Sequence, residues 1–157
     1  MIRVNSFKDF LCAIALGFVM MAPSQAAEQG NAAEAEAMVK KAVAYIKANG
    51  PDKAYEEFTS GKSFKDRDLY ISVLDFTGKV MAHGVNPKLI GKDLFGLKDP
   101  DGVLLVQVAI DVAKTKGKGW TPDYKFMNPT TQKLQSKSMY VERVPGMDMY
   151  VAVGVYK

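Results

Sequence analysis

Apolar residues recur with helical spacing near the beginning of the chain. The stripe consists of Ala35, Met38, Val39, Ala42, Val43 and Ile46. Because these positions follow one another at helical intervals, they share one side of a helix. Asn49-Gly50-Pro51 predicts the end of this helix and the start of another, since glycine suits a left-handed C-cap and proline a first turn. The second helix would run from Pro51 to Phe58 and bury Ala54, Tyr55 and Phe58.

A strand with two different faces follows. Leu69, Ile71 and Val73 alternate with Tyr70, Ser72 and Leu74. One face is therefore available for a core and the other for lining a cavity. Asp75 and Gly78 predict a tight turn, and Lys79 to His83 forms the return strand. Simple alternation there puts Met81 and His83 on one face and Val80 and Ala82 on the other.

The middle of the chain predicts an irregular segment and a third helix. Gly84 to Phe95 is irregular, with Leu89, Ile90, Leu94 and Phe95 expected in the core. Asp99 and Asp101 are acidic N-cap candidates for a helix from Val103 to Lys116.

Three more strands are predicted, at Gly119 to Met127, Leu134 to Arg143 and Met147 to Tyr156. Short turns separate them, which favours antiparallel neighbours. The order of elements predicts an α+β fold, with an antiparallel sheet of about five strands and helices packed on it.

The first 26 residues have the pattern of a secretory signal peptide. Arg3 and Lys8 form a basic leader, Leu11 to Ala22 is too short for a comfortable membrane span, and Ser24-Gln25-Ala26 fits a cleavage site. We therefore expect cleavage after Ala26, a single domain at residues 27–157, a periplasmic or secreted location and no membrane span after cleavage. The alternative is an uncleaved N-terminal anchor helix.

Composition narrows the function further. The 157 residues are 48% apolar and 24% charged, as in an ordinary globular domain. Cleavage removes Cys12, the only cysteine, so the mature chain has no disulfide and no thiol chemistry. Loss of Arg3, Lys8 and Asp9 lowers the net charge from +4 to +3. The lysines are dispersed, which indicates a solvated surface and no nucleic-acid partner.

Few features favour catalysis or metal binding. One histidine and scattered carboxylates do not make a transition-metal site, so we expect no metal and no cofactor. A catalytic set would have to recruit His83 with a serine and Asp75 or Asp93. G-x-S-x-G, P-loop and dinucleotide motifs are absent from the sequence. The sequence therefore indicates a protein that is not an enzyme.

Several short motifs together resemble one family, in this order: Leu69–Asp75 with Gly78, Met81–Gly84 with Asn86-Pro87, Leu89–Leu94, Gly119-Trp120, Tyr124–Phe126, Asn128-Pro129, Lys137–Val141 and Gly154–Tyr156. Over roughly Ala33 to Lys157 the chain resembles the single Cache family, the PAS-like extracytoplasmic sensor domains of bacterial receptors. The resemblance implies a long N-terminal helix, a curved antiparallel sheet and a small-ligand pocket on the sheet face. Many such domains recognise short carboxylates or other small metabolites. Phe126 stands where relatives usually carry tryptophan, and the usual membrane-flanked context is missing.

Lys137 is the sharpest candidate for ligand binding. It lies inside a predicted strand and shares its parity with Met139 and Val141, so it points to an apolar face. An unpaired ammonium in such surroundings is costly, and a bound carboxylate would supply a partner. The alternative is a solvated lysine of an edge strand.

The other candidates are one histidine, several aromatic residues and one methionine. His83 can exchange hydrogen bonds with a ligand and change charge near physiological pH, or can simply bond to backbone. Tyr124 and Phe126 share parity with Trp120, so three aromatic side chains either line the pocket or fill a core. Tyr140 ranks lower because it lies opposite Lys137 unless a bulge intervenes. The full predicted site is Lys137, Tyr124, His83, Trp120, Phe126, Tyr70, Met81 and Tyr140.

These expectations combine into an exported sensory protein. It would bind a small organic ligand, a carboxylate first of all, and act with a separate membrane receptor or kinase. One alternative is a Cache-fold scaffold or interaction module that binds no ligand. A second is a PAS-like haem binder that uses His83.

Overall fold

The computed structural model describes residues 29–157, and the predicted signal peptide lies outside this part. Two helices come first, α1 (Ala32–Asn49) and α2 (Pro51–Ser60). Three strands follow, β1 (Lys65–Asp66), β2 (Leu69–Asp75) and β3 (Val80–His83), and then a 3₁₀ turn at Pro87–Leu89. The last elements are α3 (Leu105–Thr115), β4 (Lys118–Trp120), β5 (Tyr124–Met127), β6 (Leu134–Arg143) and β7 (Met149–Tyr156).

One antiparallel sheet organises these elements. Strand β7 lies between β2 and β6. The outer edge of β2 pairs with β1 and then β3, and the outer edge of β6 pairs with β4 and β5. The predicted α+β fold, with a long N-terminal helix and an antiparallel sheet, is confirmed. Among residues 29–157, no helix combines the length and apolar character needed to cross a bilayer.

Hydrogen bonds to three side chains fix the start of α1. The Asn31 side chain accepts a hydrogen bond from the Glu34 amide at 3.1 Å, and the Glu34 carboxylate accepts one from the Asn31 amide at 2.9 Å. This reciprocal pair is a capping box. The Asp68 carboxylate also accepts a hydrogen bond from the Gly30 amide at 2.7 Å, which ties the helix to the turn before β2. The predicted end of α1, with Gly50 at φ +82° and Pro51 beginning α2, is confirmed.

Substitution of Asn31 by alanine tests this cap. It should lower the free energy of unfolding by about 1 kcal/mol, because one helix N–H group loses its acceptor. Urea denaturation followed by circular dichroism measures the difference. Asn31→Asp keeps the acceptor and should be nearly neutral; equal losses in both variants would contradict the capping role.

Separate apolar cores lie on the two faces of the sheet. Leu69, Ile71 and Val73 pack toward α1 and α2, with Phe58 and Phe64. Leu74 faces α3 with Val80 and Tyr150. The predicted division of β2 into two faces is therefore confirmed.

Strand β3 contains a bulge that the sequence analysis missed. Val73 pairs with Ala82 while Leu74 pairs with Val80, so Met81 is an extra residue. The extra residue reverses the alternation, as bulges do. His83 therefore faces the α3 side, whereas Met81 packs against the α1 core. The prediction that these two residues share a face was wrong.

The predicted strand at residues 119–127 is interrupted. Trp120 pairs with Tyr140, and Tyr124 pairs with Lys137. From Trp120 to Tyr124 the chain advances four residues, whereas their partners on β6, Tyr140 and Lys137, are three residues apart. The side chains of Trp120 and Tyr124 therefore lie on opposite faces of the sheet. The prediction that Trp120 shares a face with Tyr124 was wrong for this reason.

Acidic residues before α3 do not cap it. The N-cap is Leu104 and makes no side-chain hydrogen bond. Asp99 instead accepts hydrogen bonds from the amides of Asp101, Val103 and Lys125 at 2.9, 2.8 and 2.8 Å. It therefore joins the loop to β5. Ile90 and Phe95, predicted to be in the core, are 41% and 42% exposed.

Candidate functional site

A small cavity lies on the α3 side of the sheet. Its volume is about 70 Å³. Its apolar wall is formed by Leu74, Val80, Leu94, Leu97, Leu105 and Val106. Its polar and aromatic lining includes Tyr70, His83, Tyr124, Phe126 and Lys137. Five of the eight predicted site residues therefore come together here.

The Lys137 ammonium is buried between aromatic side chains. The residue is 3% exposed, so the alternative of a solvated lysine is wrong. Its Nζ donates hydrogen bonds to the hydroxyl oxygens of Tyr70 at 3.1 Å and Tyr156 at 3.0 Å. Nζ also lies 4.2 Å from the Tyr156 ring centroid, 4.8 Å from that of Tyr70 and 5.3 Å from that of Phe126. These distances are within the range of cation–π attraction. We call these three rings the aromatic cage.

No carboxylate forms an ion pair with Lys137 within residues 29–157. Burial lowers the pKa of Lys137 to about 7, against a smaller opposing effect of the Asp68 carboxylate. Asp68 itself is 2% exposed, and one of its carboxylate oxygens accepts a hydrogen bond from the Gly30 amide. The cage therefore holds an amine whose charge is only partly compensated, which favours a bound anion.

The tyrosine hydroxyls remain donors at neutral pH. Burial raises the pKa of Tyr70 to about 12 and that of Tyr124 well above its usual value. Tyr156 donates its proton to the Met127 carbonyl at 2.9 Å and thus offers lone pairs to Lys137. Tyr124 lies directly opposite Lys137 on the neighbouring strand. Its hydroxyl has no hydrogen-bond partner in the described part of the chain and is available to a ligand.

His83 combines a structural contact with a place in the cavity wall. Its Nδ1 accepts hydrogen bonds from the amides of Asn86 at 3.0 Å and Val85 at 3.4 Å. The neutral ring therefore carries its proton on Nε2, which is left as a donor. Burial, and secondarily the Lys137 charge, lowers the pKa of His83 to about 4. The predicted change of charge near physiological pH is thus wrong.

Comparison with known proteins identifies the family. The family model described as "Single Cache domain 2" matches residues 11–157. The chain belongs to the single Cache domain 2 family. The family predicted from the sequence motifs is therefore confirmed. Domains of this family are extracytoplasmic, ligand-binding sensors.

Relatives of the Cache domain occur in chemotaxis receptors. This chain is 28% identical over 91 residues to methyl-accepting chemotaxis protein McpP of Pseudomonas putida, a match that covers 58% of this chain and 16% of the receptor. The crystal structure of a methyl-accepting chemotaxis protein from Vibrio parahaemolyticus superimposes with a TM-score of 0.67 at 27% identity, covering 79% of this chain and 86% of that one.

A further solved Cache domain shares the fold. This chemosensory domain, described as recognising carboxylic acids, gives a TM-score of 0.66 at 23% identity over 79% of this chain and 91% of its own. The family match and the relatives in chemotaxis receptors together show a Cache sensor domain related to the periplasmic domains of those receptors.

Three predicted site residues of the Cache domain lie on the other face of the sheet. Trp120, Tyr140 and Met81 pack against the α1 core. The Trp120 indole donates a hydrogen bond to Glu36 of α1 at 3.1 Å, and its ring meets that of Tyr140 at 5.5 Å. The interruption before β5 and the bulge in β3 account for Trp120 and Met81. Tyr140 is on the same strand as Lys137 but points to the opposite face of the sheet, as strand parity predicts.

Several residues at the site were not predicted from the sequence. Tyr156 is the most important, since it pairs directly with Lys137 across β6 and β7 and accepts a hydrogen bond from its ammonium. Ser72, Met139 and Gly154 line the cavity itself. The available signal was the alternation of β7, which puts Tyr150, Gly154 and Tyr156 on the face opposite the valines. That signal does not reveal which residue of β6 lies beside Tyr156.

Proposed function

We propose that this Cache domain is an exported sensor that binds a short organic carboxylate in the cavity. The observation that carries the proposal is the Lys137 ammonium, buried in the aromatic cage without a carboxylate partner in the described chain. A ligand carboxylate completes the charge compensation that the Asp68 carboxylate gives only in part. Charge-assisted hydrogen bonds of this kind contribute about 1.5–3 kcal/mol each.

The other polar groups of the cavity suit the same ligand. Tyr124 offers a hydroxyl proton and His83 offers its Nε2 proton, so both complement the acceptor-only character of a carboxylate. Trp120, Tyr140 and Met81, on the other face, have no part in this proposed site. Because Phe126 and Tyr70 contribute ring faces beside the ammonium, they shape the site while Lys137 carries the charge.

Cavity size restricts the ligand to a few heavy atoms. The volume of about 70 Å³ compares with about 10–15 Å³ for the smallest cavity that holds one water and about 300–1,000 Å³ for pockets that hold drug-sized ligands. A haem group far exceeds this space, which argues against the haem-binding alternative. A ligand of about five heavy atoms, at about −1.5 kcal/mol per atom, reaches about −7.5 kcal/mol, or micromolar affinity at best.

The relatives suggest how binding is used. One solved domain of this fold is described as recognising carboxylic acids, which makes that class the first to test. The basic and apolar leader supports export, followed by cleavage after Ala26. Relatives in chemotaxis receptors support a sensory output, for which we propose a separate membrane receptor or kinase as partner.

A ligand panel tests the proposal. Formate, acetate and propionate at 100 times their dissociation constants should stabilise the purified domain by about 2.7 kcal/mol in thermal unfolding. Propionamide, which matches propionate in shape but lacks the charge, should have no effect. Titration calorimetry of each hit gives the affinity. The panel also contains small amines and purines. Stabilisation by these alone would contradict the carboxylate proposal, and no stabilisation by any compound would favour a scaffold without a ligand.

A further inference from the structure

Gly154 occupies a position in β7 where any side chain would meet Lys137. It lines the cavity and pairs with Met139 of β6. A Cβ built on Gly154 would overlap Cε of Lys137 and would lie 2.9 Å from Nζ and 3.1 Å from Cδ. Such distances are well inside van der Waals contact. The alkyl chain of Lys137 therefore lies flat across the Gly154 backbone.

Backbone conformation does not explain this glycine. Seven glycines of the described chain have positive φ angles, and Gly154 is not among them. It lies inside a paired strand, between Val153 and Val155, which pair with Tyr140 and Ser138. Glycine weakens a strand interior and marks places where another group approaches the backbone closely. Here that group is the Lys137 side chain.

The path across Gly154 determines where the ammonium ends. Lying flat, the Lys137 chain brings Nζ to 3.0 Å from the Tyr156 hydroxyl and 3.1 Å from that of Tyr70. A side chain at residue 154 would lift the lysine off the sheet and into a cavity of only about 70 Å³. The ammonium would leave the aromatic cage, and its chain would occupy the space of the ligand.

We propose that Gly154 is a positioning residue, which holds the Lys137 ammonium in the aromatic cage and keeps the cavity open for a ligand. The effect on ligand affinity rests on the proposed carboxylate function. The effect on the position of Lys137 does not, so the two can be tested separately.

NMR of selectively ¹³C-labelled lysine tests the positioning role without a ligand. The ε-methylene of Lys137 is bonded to Nζ, which lies 4.2–5.3 Å from three ring centroids. Its protons should therefore show a ring-current shift in the wild type, which Gly154→Ala should abolish. Gly96→Ala is the matched control, since nothing lies within 4 Å of a Cβ there and its φ is not positive. It should leave the Lys137 signal unchanged. Retention of the shift in Gly154→Ala would overturn the proposal.

A double-mutant cycle covers the case in which Gly154→Ala folds poorly. Gly154→Ala should lower the melting temperature in the presence of Lys137 and should not lower it in the Lys137→Ala background, because the colliding atoms are gone. An equal loss in both backgrounds would overturn the proposal.

Ligand affinity gives the last comparison. Gly154→Ala should weaken acetate binding at least tenfold, which corresponds to about 1.4 kcal/mol, and Gly96→Ala should not change it. Unchanged acetate affinity in Gly154→Ala would overturn the ligand part of the proposal. A lost ring-current shift in a domain whose wild type binds no acid would refute the carboxylate function while supporting the positioning role.

Discussion

Replacing Lys137 with methionine should greatly weaken carboxylate binding and should stabilise the empty domain. Affinity should fall at least 100-fold, or about 2.8 kcal/mol, because the ligand would enter the cavity without its counter-charge. The free energy of unfolding without ligand should rise by about 1–4 kcal/mol, since methionine fills the same apolar space without a desolvated charge. Titration calorimetry and urea denaturation at pH 6 measure the two effects.

Lys125→Met is the matched control for this substitution. Lys125 is the neighbouring lysine on β5, half exposed and paired with Asp101 at 3.1 Å. Loss of a surface pair costs less than about 1 kcal/mol, and acid affinity should not change. If Lys137→Met destabilised the empty domain, the ammonium would be well satisfied without a ligand, and the reason for proposing an anion site would fail.

Carboxylate affinity should be greatest below about pH 7 and fall as the pH rises. Burial lowers the pKa of unliganded Lys137 to about 7, whereas a bound carboxylate favours the protonated amine and raises it. Binding above pH 7 therefore takes up a proton, and the dissociation constant should increase toward tenfold per pH unit until the pKa of the complex is reached. Calorimetry at pH 6, 7, 8 and 9, in buffers of different ionisation enthalpy, measures the affinity and the proton uptake.

The other titratable groups around Lys137 should change the carboxylate affinity little between pH 6 and pH 9. His83, with a pKa lowered to about 4 by burial, stays neutral, and the raised pKa of Tyr70, about 12, keeps its proton in place. The Asp68 carboxylate is the facing charge and opposes the shift of Lys137. Lys137→Met should flatten the profile, while His83→Gln should keep its shape. A pH-independent affinity in the wild type would contradict the role of the amine.

The empty domain should show the opposite trend in stability. The pKa of Lys137 is about 7 in the folded state and 10.5 when unperturbed, so between these values the unfolded chain binds more protons. Stability therefore rises with pH in this window, and the stabilising effect of Lys137→Met shrinks over the same range. The same urea denaturation experiments, repeated at pH 6 and pH 9, measure this difference.

Local chemistry made much of the fold predictable. The stripe ending at Ile46 and the Gly50-Pro51 boundary define α1, because a helix depends on neighbours three and four residues away. The turn set by Asp75 and Gly78 is equally local, since the Asp75 carboxylate accepts a hydrogen bond from the Thr77 amide at 2.9 Å. The parity of Lys137 with Met139 also gave the correct face of β6.

Features that depend on distant partners were not predictable. Met81 and Trp120 were assigned to the wrong face because one extra residue reverses the alternation, and only pairing with β2 or β6 reveals the extra residue. Asp99 was predicted as a helix cap, but it binds the Lys125 amide 26 residues away. Tyr156 was missed because its place beside Lys137 follows from the register of β6 and β7.

The aromatic cage has a consequence for folding. Its three rings come from β2, β5 and β7 and the amine that they enclose comes from β6, so the amine is enclosed only after the last strand has joined the sheet. No fragment that ends before β7 can assemble it, and opening any one of these strands dismantles it. An acid held there would therefore protect amide protons throughout the sheet from exchange, by stabilising the domain as one cooperative unit.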